Sequence, residues 1–310
     1  MANGFTATHN RRRRSARFKR ELPLHLYLLP GIILVITFSY IPMAGLVIAF
    51  QNFRVFEGWF AADWVGLSNF KYIMSFPNIY QVIFNTVYIS VLKIIFSLVV
   101  PIIVALLLNE MLMIRFKRTI QTIMYLPFFL SWIILGGIIT DFFSTSGVVN
   151  SILTGIGLQP VNFLTSNQNF RSLLVLTDTW KVFGFNTIVY MAALTAIDPT
   201  LYEASSIDGA NRFQQTIYVT IPGMTPIIIM LATLSLGNVL NAGFEQVFVL
   251  YNALVMETGD IIDTFVFRLA FEQAKFSVST AVGLFKSVVS LLLISTSYFL
   301  AYRFAGYRIF

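Results

Sequence analysis

Cysteine is absent from the 310 residues, so neither a disulfide framework nor a thiolate metal site can be built from this chain. Histidine is nearly absent: His9 and His25 fall early in the sequence, where a structural role suits both better than a buried metal centre. A phosphate loop of the form GxxxxGKS or GxxxxGKT is missing too. The nearest fragment, Gly283-Leu284-Phe285-Lys286-Ser287, lacks the second glycine and lies in an apolar run. Charge is scarce at 11%, against 57% hydrophobic residues and a mean hydropathy of +0.76. That balance exceeds what a soluble core of this length needs and points to an integral membrane protein.

What is present is a series of apolar runs. Against a requirement of about 20 residues per span, six candidates stand out, at roughly 24–50, 80–109, 119–140, 171–197, 226–240 and 278–304. Helices fit them better than barrel strands, because runs such as Ile94 to Leu108 lack apolar/polar alternation and a backbone in lipid must satisfy its hydrogen bonds within each segment. The expected fold class is therefore all-α and polytopic. The fifth run is interrupted by Gly237, Asn238, Asn241 and Gly243 and reads as a short or broken span with more backbone on its outer side.

Orientation follows from the bases. With the N-terminus inside, the arginines and lysines of residues 11–20, Arg115, Lys117, Arg118, Arg212, Arg303 and Arg308 are cytoplasmic, which is 13 of 21. Arg54, Lys71, Arg171, Arg268 and Lys275 fall outside, so both termini are expected in the cytoplasm. Residues 1–23 form a basic cytoplasmic arm and 24–310 a single transmembrane domain. The apolar stretch after the arm is too long for a signal-peptide core and has no evident small-residue cleavage site. The arm suits topology and attraction to anionic lipid rather than nucleic acid.

This topology puts the polar insert EASSIDGANRFQQTIYVTIPGMTP, residues 203–226, on the cytoplasmic side between spans four and five. Asp198 is placed to cap a short helix that Pro199 opens, with Leu201, Ala204 and Ile207 on one face. Gly209 ends it. Asn211 and Gln214 have the spacing of a capping box for a second helix whose ridge is Phe213, Ile217 and Ile221. Pro222 and Gly223 are expected to stop that helix, and Thr225 and Pro226 to restart one into lipid. An apolar ridge with exposed acids on an otherwise greasy chain reads as a docking element, whereas a plain surface connector would need neither Glu203 nor Asp208.

Glu203-Ala204-Ser205, Asp208-Gly209-Ala210, Ile221-Pro222 and Pro226 resemble the EAA loop of permease subunits in ATP-binding-cassette importers. Flanking stretches, WKVFGFNTIVYMAALTAIDPTLYEA before it and FEQVFVLYNALVMETGDIIDTFVFRLAFEQAKFSVSTAVGLFKS after it, resemble the carbohydrate-uptake branch, specifically LplB-type permeases of polysaccharide and oligosaccharide importers. The likeness runs from span one to the C-terminus and is sharpest over 178–287. Ser205 departs from the alanine of the family's triplet. The resemblance implies the importer-permease (MetI-like) fold in a bacterial cytoplasmic membrane, with 198–222 as the coupling loop. Glu203, Ala204, Ser205, Asp208, Gly209, Ala210, Arg212 and Phe213 would dock on an ATPase subunit. It further implies a second permease as heterodimer partner, two ATPase subunits that use ATP and Mg, and an extracytoplasmic binding protein that delivers a saccharide. No cofactor is expected on this chain itself.

Substrate chemistry is sought among polar residues inside the spans. Lys93, Asp178, Lys181 and Lys286 are the charges placed there, and a buried charge in lipid is a functional candidate by default. The lysines would lie on the order of 12 to 20 Å below the outer entry points at 1.5 Å per residue. Asp178 and Lys181, three residues apart, have the alternative of pairing with each other, and Lys93 that of snorkelling or bonding to carbonyls. Two lysines facing a cavity unpaired would favour an acidic saccharide over a neutral one. Trp132, Trp180, Phe183 and Tyr190 are candidates to stack on sugar rings and Asn186 to bond them, although membrane aromatics more often pack or anchor. Asn238, Asn241, Glu245 and Gln246 form a second candidate group at the break after span five. Glu257, Asp260, Asp263, Glu272 and Lys275 read as an outer surface for the delivering protein.

Two readings of other classes stand beside this one. An ion-coupled secondary transporter would use Asp178 and the lysines for coupling, but no repeat between the halves supports it. A membrane enzyme lacks converging histidine, cysteine or paired carboxylates.

Overall fold

The computed structural model describes residues 23, 25–56, 58 and 60–305. The expected basic arm lies outside these residues except for its last position. Among them the fold is helical, with one two-stranded antiparallel pair, β1 (Gln51–Asn52) and β2 (Asp63–Trp64). The helices are α1 (His25–Phe50), α2 (Ser68–Met74), α3 (Ile79–Asn109), α4 (Ile114–Phe129), α5 (Trp132–Phe143), α6 (Val148–Gly155), α7 (Asn167–Thr195) and α8 (Pro199–Ile207). Then come α9 (Arg212–Leu236), α10 (Phe244–Leu250), α11 (Met256–Gly259), α12 (Ile262–Phe267) and α13 (Phe276–Ala305).

Among the described residues, α1, α3, the stretch Trp132–Gly155, α9 and Phe276–Phe299 are each long and apolar enough to cross a membrane; α7 with α8, bent by 68°, makes a sixth. The expected spans one, two, four and six are found within a few residues of their expected ends. The third and fifth differ.

The third run, expected as one span over 119–140, is cut at Leu130 and Ser131, both with extended backbone. Pro127 withholds an N–H from the last turn of α4, and Ser131 opens α5 by accepting from Ile134 N at 3.3 Å. The membrane-length stretch is therefore Trp132–Gly155, displaced toward the C-terminus.

The fifth span is longer than expected, because Pro222 and Gly223 do not stop the helix that Asn211 starts. A π-helical turn, Thr216–Thr220, widens the helix just before Pro222, with Ile221 N–H bonding to Thr216 O. That moves the carbonyl a proline ring would otherwise strike. The same arrangement precedes Pro42 in α1, where Ile36–Tyr40 forms the π turn. As expected, the fifth span breaks after Leu236, and Gly243, at φ 87°, turns the chain into α10.

Helices α3 and α7 pack along each other as the central pair. Three buried clusters follow them from one end to the other. One joins Ala49, Ile73, Ile79, Val82 and Phe265 to the start of α13; the next joins Ile89, Leu135, Leu174 and Val247; the third joins Ala105, Tyr190, Leu194 and Met224. Apolar burial does not drive helices together in lipid, so close packing and polar bonds must hold this bundle. Residues 25–44 of α1 are exposed throughout, as suits a helix facing lipid.

Candidate functional site

The polar insert folds into an elbow. Asp198 Oδ1 accepts from Thr200 N at 2.9 Å and so caps α8, and that bond holds its carboxyl below the usual carboxylate range. Gly209, at φ 80°, reverses the chain. Asn211 and Gln214 then form the expected capping box, with bonds of 2.9 and 2.8 Å, at the start of α9.

All eight expected docking residues sit on this elbow. Glu203, Ala204, Asp208, Gly209, Arg212 and Phe213 are exposed, and Ser205 and Ala210 are half-buried. Phe213 is 73% and Ile207 87% exposed, so the apolar ridge is uncovered. Beside it a cleft of about 620 Å³ is lined by Glu110, Tyr202, Glu203, Ser206, Arg212 and Gln215, among others. Arg212 approaches Glu110 at 3.8 Å, between two exposed side chains. The uncovered apolar side chains of Ile207 and Phe213 stand beside this polar cleft, with Glu203 and Arg212 exposed at its rim.

Inside the helices the charges are already engaged, and not in the expected pairs. Lys93, buried in α3, lies 3.4 Å from Asp178 of α7, donates to Ala242 O at 2.7 Å and bonds to Gln246 Oε1. Gln246, fully buried, donates in turn to Leu174 O at 2.8 Å and Thr177 Oγ1 at 2.7 Å. This knot fastens the irregular backbone around Gly243 to the central pair.

Asp178 therefore pairs with Lys93 rather than with Lys181. Lys181 instead donates to Phe128 O at 3.1 Å, Pro127 O at 3.4 Å and Leu130 O, beneath the face of Trp132. Pro127 O already accepts from Leu130 N at 3.2 Å, so the ammonium adds a further donor to the carbonyls where the third span is cut. Lys286 pairs with Asp263 at 2.5 Å. Asp263 had been placed among the outer docking acids, and Asp260 is likewise internal: it holds Arg268 through bonds of 2.8 and 2.5 Å. That contact keeps the guanidinium charged, raising its pKa further. Glu257 and Glu272 remain exposed, and Lys275 lies against Tyr72 and Phe76.

The aromatic candidates separate. Trp180 and Phe183 line an apolar cavity of about 600 Å³ with Phe96, Phe143 and Leu176, a lining poor in partners for sugar hydroxyls. Tyr190 is 1% exposed inside the third cluster. Asn186 is half-buried, and Asn238, Asn241 and Glu245 are exposed around the break after span five. Arg171, Asn85 and Gln215 were not singled out from the sequence. Arg171 donates to Asn85 Oδ1 at 2.7 Å and lies over Phe84 and Tyr88, while Asn85 donates to Glu257 O and Asp260 O. The available signal was an amide within the outer turns of a span, where an unpaired amide is costly.

Comparison with known proteins follows from this geometry. The family described as "Binding-protein-dependent transport system inner membrane component" matches residues 97–308. The polygalacturonan/rhamnogalacturonan transport system permease protein YteP of Bacillus subtilis is 38% identical over 295 residues, covering 95% of this chain and 92% of that one. Protein LplB of the same organism is 39% identical over 290 residues, covering 93% and 91%. The crystal structure of a bacterial alginate ABC transporter, in complex with an alginate pentasaccharide-bound periplasmic protein, contains a chain that superposes with a TM-score of 0.85. Identity there is 36%, with 93% of this chain and 96% of that one covered.

Proposed function

We propose a working scheme for this chain, which belongs to the family of binding-protein-dependent transport system inner membrane components. It is a multi-pass permease subunit of an ATP-binding-cassette importer for polysaccharides or oligosaccharides in the bacterial inner membrane. In the scheme a second, different permease completes the pathway, two ATPase subunits dock below, and a binding protein delivers cargo from outside. Both termini, with the basic arm at 1–23, lie in the cytoplasm. Glu203, Ala204, Ser205, Asp208, Gly209, Ala210, Arg212 and Phe213 form the surface that meets one ATPase subunit.

One observation carries the scheme: the elbow of α8 and the first turns of α9 presents uncovered apolar side chains and exposed charges while Asp198 and the Asn211–Gln214 box cap its two helix starts. ATP brings the ATPase subunits together, the elbow moves with them, and the helices above exchange inward-facing for outward-facing access. Hydrolysis itself belongs to the partners. An acidic cargo is supported by the relatives, whose names specify polygalacturonan and alginate, and not by the three lysines, which are consumed inside the fold. Asp178, Asn238, Asn241 and Glu245 stay as pathway candidates around the break, with Trp132 beside them. Lys93, Lys181, Tyr190 and Lys286 are better explained as architecture.

The experiment is ATPase stimulation of the reconstituted complex by binding protein loaded with acidic or with neutral oligosaccharide. Stimulation by the acidic form alone is expected. A response to neutral sugars alone would overturn the acidic assignment, and uptake driven by an ion gradient without any ATPase subunit would overturn the scheme.

A further inference from the structure

The elbow is joined to two spans, and the two joints are built differently. Toward α7 the link is Ala196–Asp198: the helix closes with Ala196 N bonding to Ala193 O and Ile197 N to Leu194 O. Asp198 is then extended, and the axis turns by 68°. Among the described residues, no side-chain hydrogen bond runs from α8 to α7.

Toward α9 the elbow is laced. The Tyr202 hydroxyl lies 3.0 Å from Thr220 Oγ1, and Gln215 Nε2 donates to Ser206 Oγ at 2.8 Å and to Ser205 Oγ at 3.2 Å. Gln215 and Thr220 are buried, so water competes little for these bonds. Thr220 closes the π turn and also donates to Gln215 O at 3.3 Å. Below the lacing, Ile197 occupies the space that Gly223 leaves: a Cβ at 223 would lie 2.9 Å from Ile197 Cδ1. Ser205, the departure from the family's alanine, supplies one of the acceptors.

A helix of nine residues cannot hold its own geometry against a load. Whichever span it is bonded to receives the push. We propose that Tyr202 and Gln215 are positioning residues that weld α8 to the base of α9. Displacement of the elbow then passes to span five as one rigid piece, pivoting where Ile197 meets Gly223, while the joint to span four bends. Span five leads directly to the break that Lys93 and Gln246 fasten, so the push arrives at the most polar level of the bundle. The inference rests on the reading that the elbow docks on an ATPase subunit.

The test uses the complete importer in liposomes, with its ATPase subunits and binding protein. Tyr202→Phe combined with Gln215→Ala should retain the ATPase subunits as the wild type does, while saccharide imported per ATP falls about tenfold, the scale of one or two lost side-chain bonds. Ser206→Thr, which keeps the hydroxyl, should stay within about twofold of the wild type. Unchanged import per ATP in the double variant would overturn the proposal. So would loss of the ATPase subunits, because these residues would then shape the docking surface itself. Failure of the docking reading shows separately, as Glu203→Lys complexes that keep both subunits and full coupling.

A second readout separates a weld from simple stability. The chain has no native cysteine, so spin labels at Thr200→Cys with Leu234→Cys, and at Thr200→Cys with Ile188→Cys, report elbow-to-span distances cleanly. The first distance should be the same in nucleotide-free and ATP-trapped complexes and the second should change; the reverse pattern overturns the proposal.

Discussion

The elbow and the charged layer inside the bundle hold the same residue types in opposite states. In the elbow, hydrogen bonds are local, linking residues two to eighteen positions apart, and the acids and large apolar side chains are left facing outward. In the layer, Lys93 reaches across 149 and 153 residues to Ala242 and Gln246, Lys181 across 53 to Phe128, and Lys286 across 23 to Asp263. A capped backbone that leaves acids and large apolar side chains uncovered has contact area to spare. Charges bonded across the bundle are fasteners. The lesson is that a lysine inside a membrane span need not mark cargo; its worth is decided by what orphaned backbone or carboxylate lies within reach.

Five substitutions sharpen or break that contrast. The largest effect belongs to Lys93→Met, which strands Asp178 and Gln246 together and should cost about 3 kcal/mol, read as a lowered Tm of the purified complex. Adding Asp178→Leu should recover part of the loss, and no recovery would deny the pairing. Lys181→Met should cost about 2 kcal/mol by exposing carbonyls of the broken third span. Import of acidic cargo should then decline only as far as the lowered Tm accounts for, and lost import at an unchanged Tm would return Lys181 to the pathway. Glu203→Lys leaves the fold intact and should weaken ATPase-subunit retention about tenfold, as measured by co-purification. The smallest effect is expected of Glu110→Ala, which removes an exposed ion pair with Arg212 and should change stability by less than about 0.5 kcal/mol. A larger shift would mean that this contact is part of the machinery.

Much of the elbow was legible because its determinants are neighbours in sequence: Asp198 before Pro199, Asn211 before Gln214, and Gly209 between them. The long apolar spans were legible for the same reason. What failed was anything decided at a distance. The three-position spacing of Asp178 and Lys181 suggests a pair worth about 0.2 to 0.5 kcal/mol, but an unmet carbonyl in a membrane costs more than that, so Lys181 went to the end of α4. Pro222 read as a stop because the sequence does not announce the π turn that accommodates it. Gln215 carries no local signal of its own, because only the folded-back chain places two serine hydroxyls beside it.

Cross-linking from Ile207→Cys in the assembled importer tests the docking claim most directly, since Ile207 is 87% exposed at the tip of α8 and no other cysteine competes in this chain. A covalent product with the ATPase subunit that varies with nucleotide is the expected result. Labelling of that cysteine by a membrane-impermeant reagent added from outside intact cells, with no ATPase product, would contradict it.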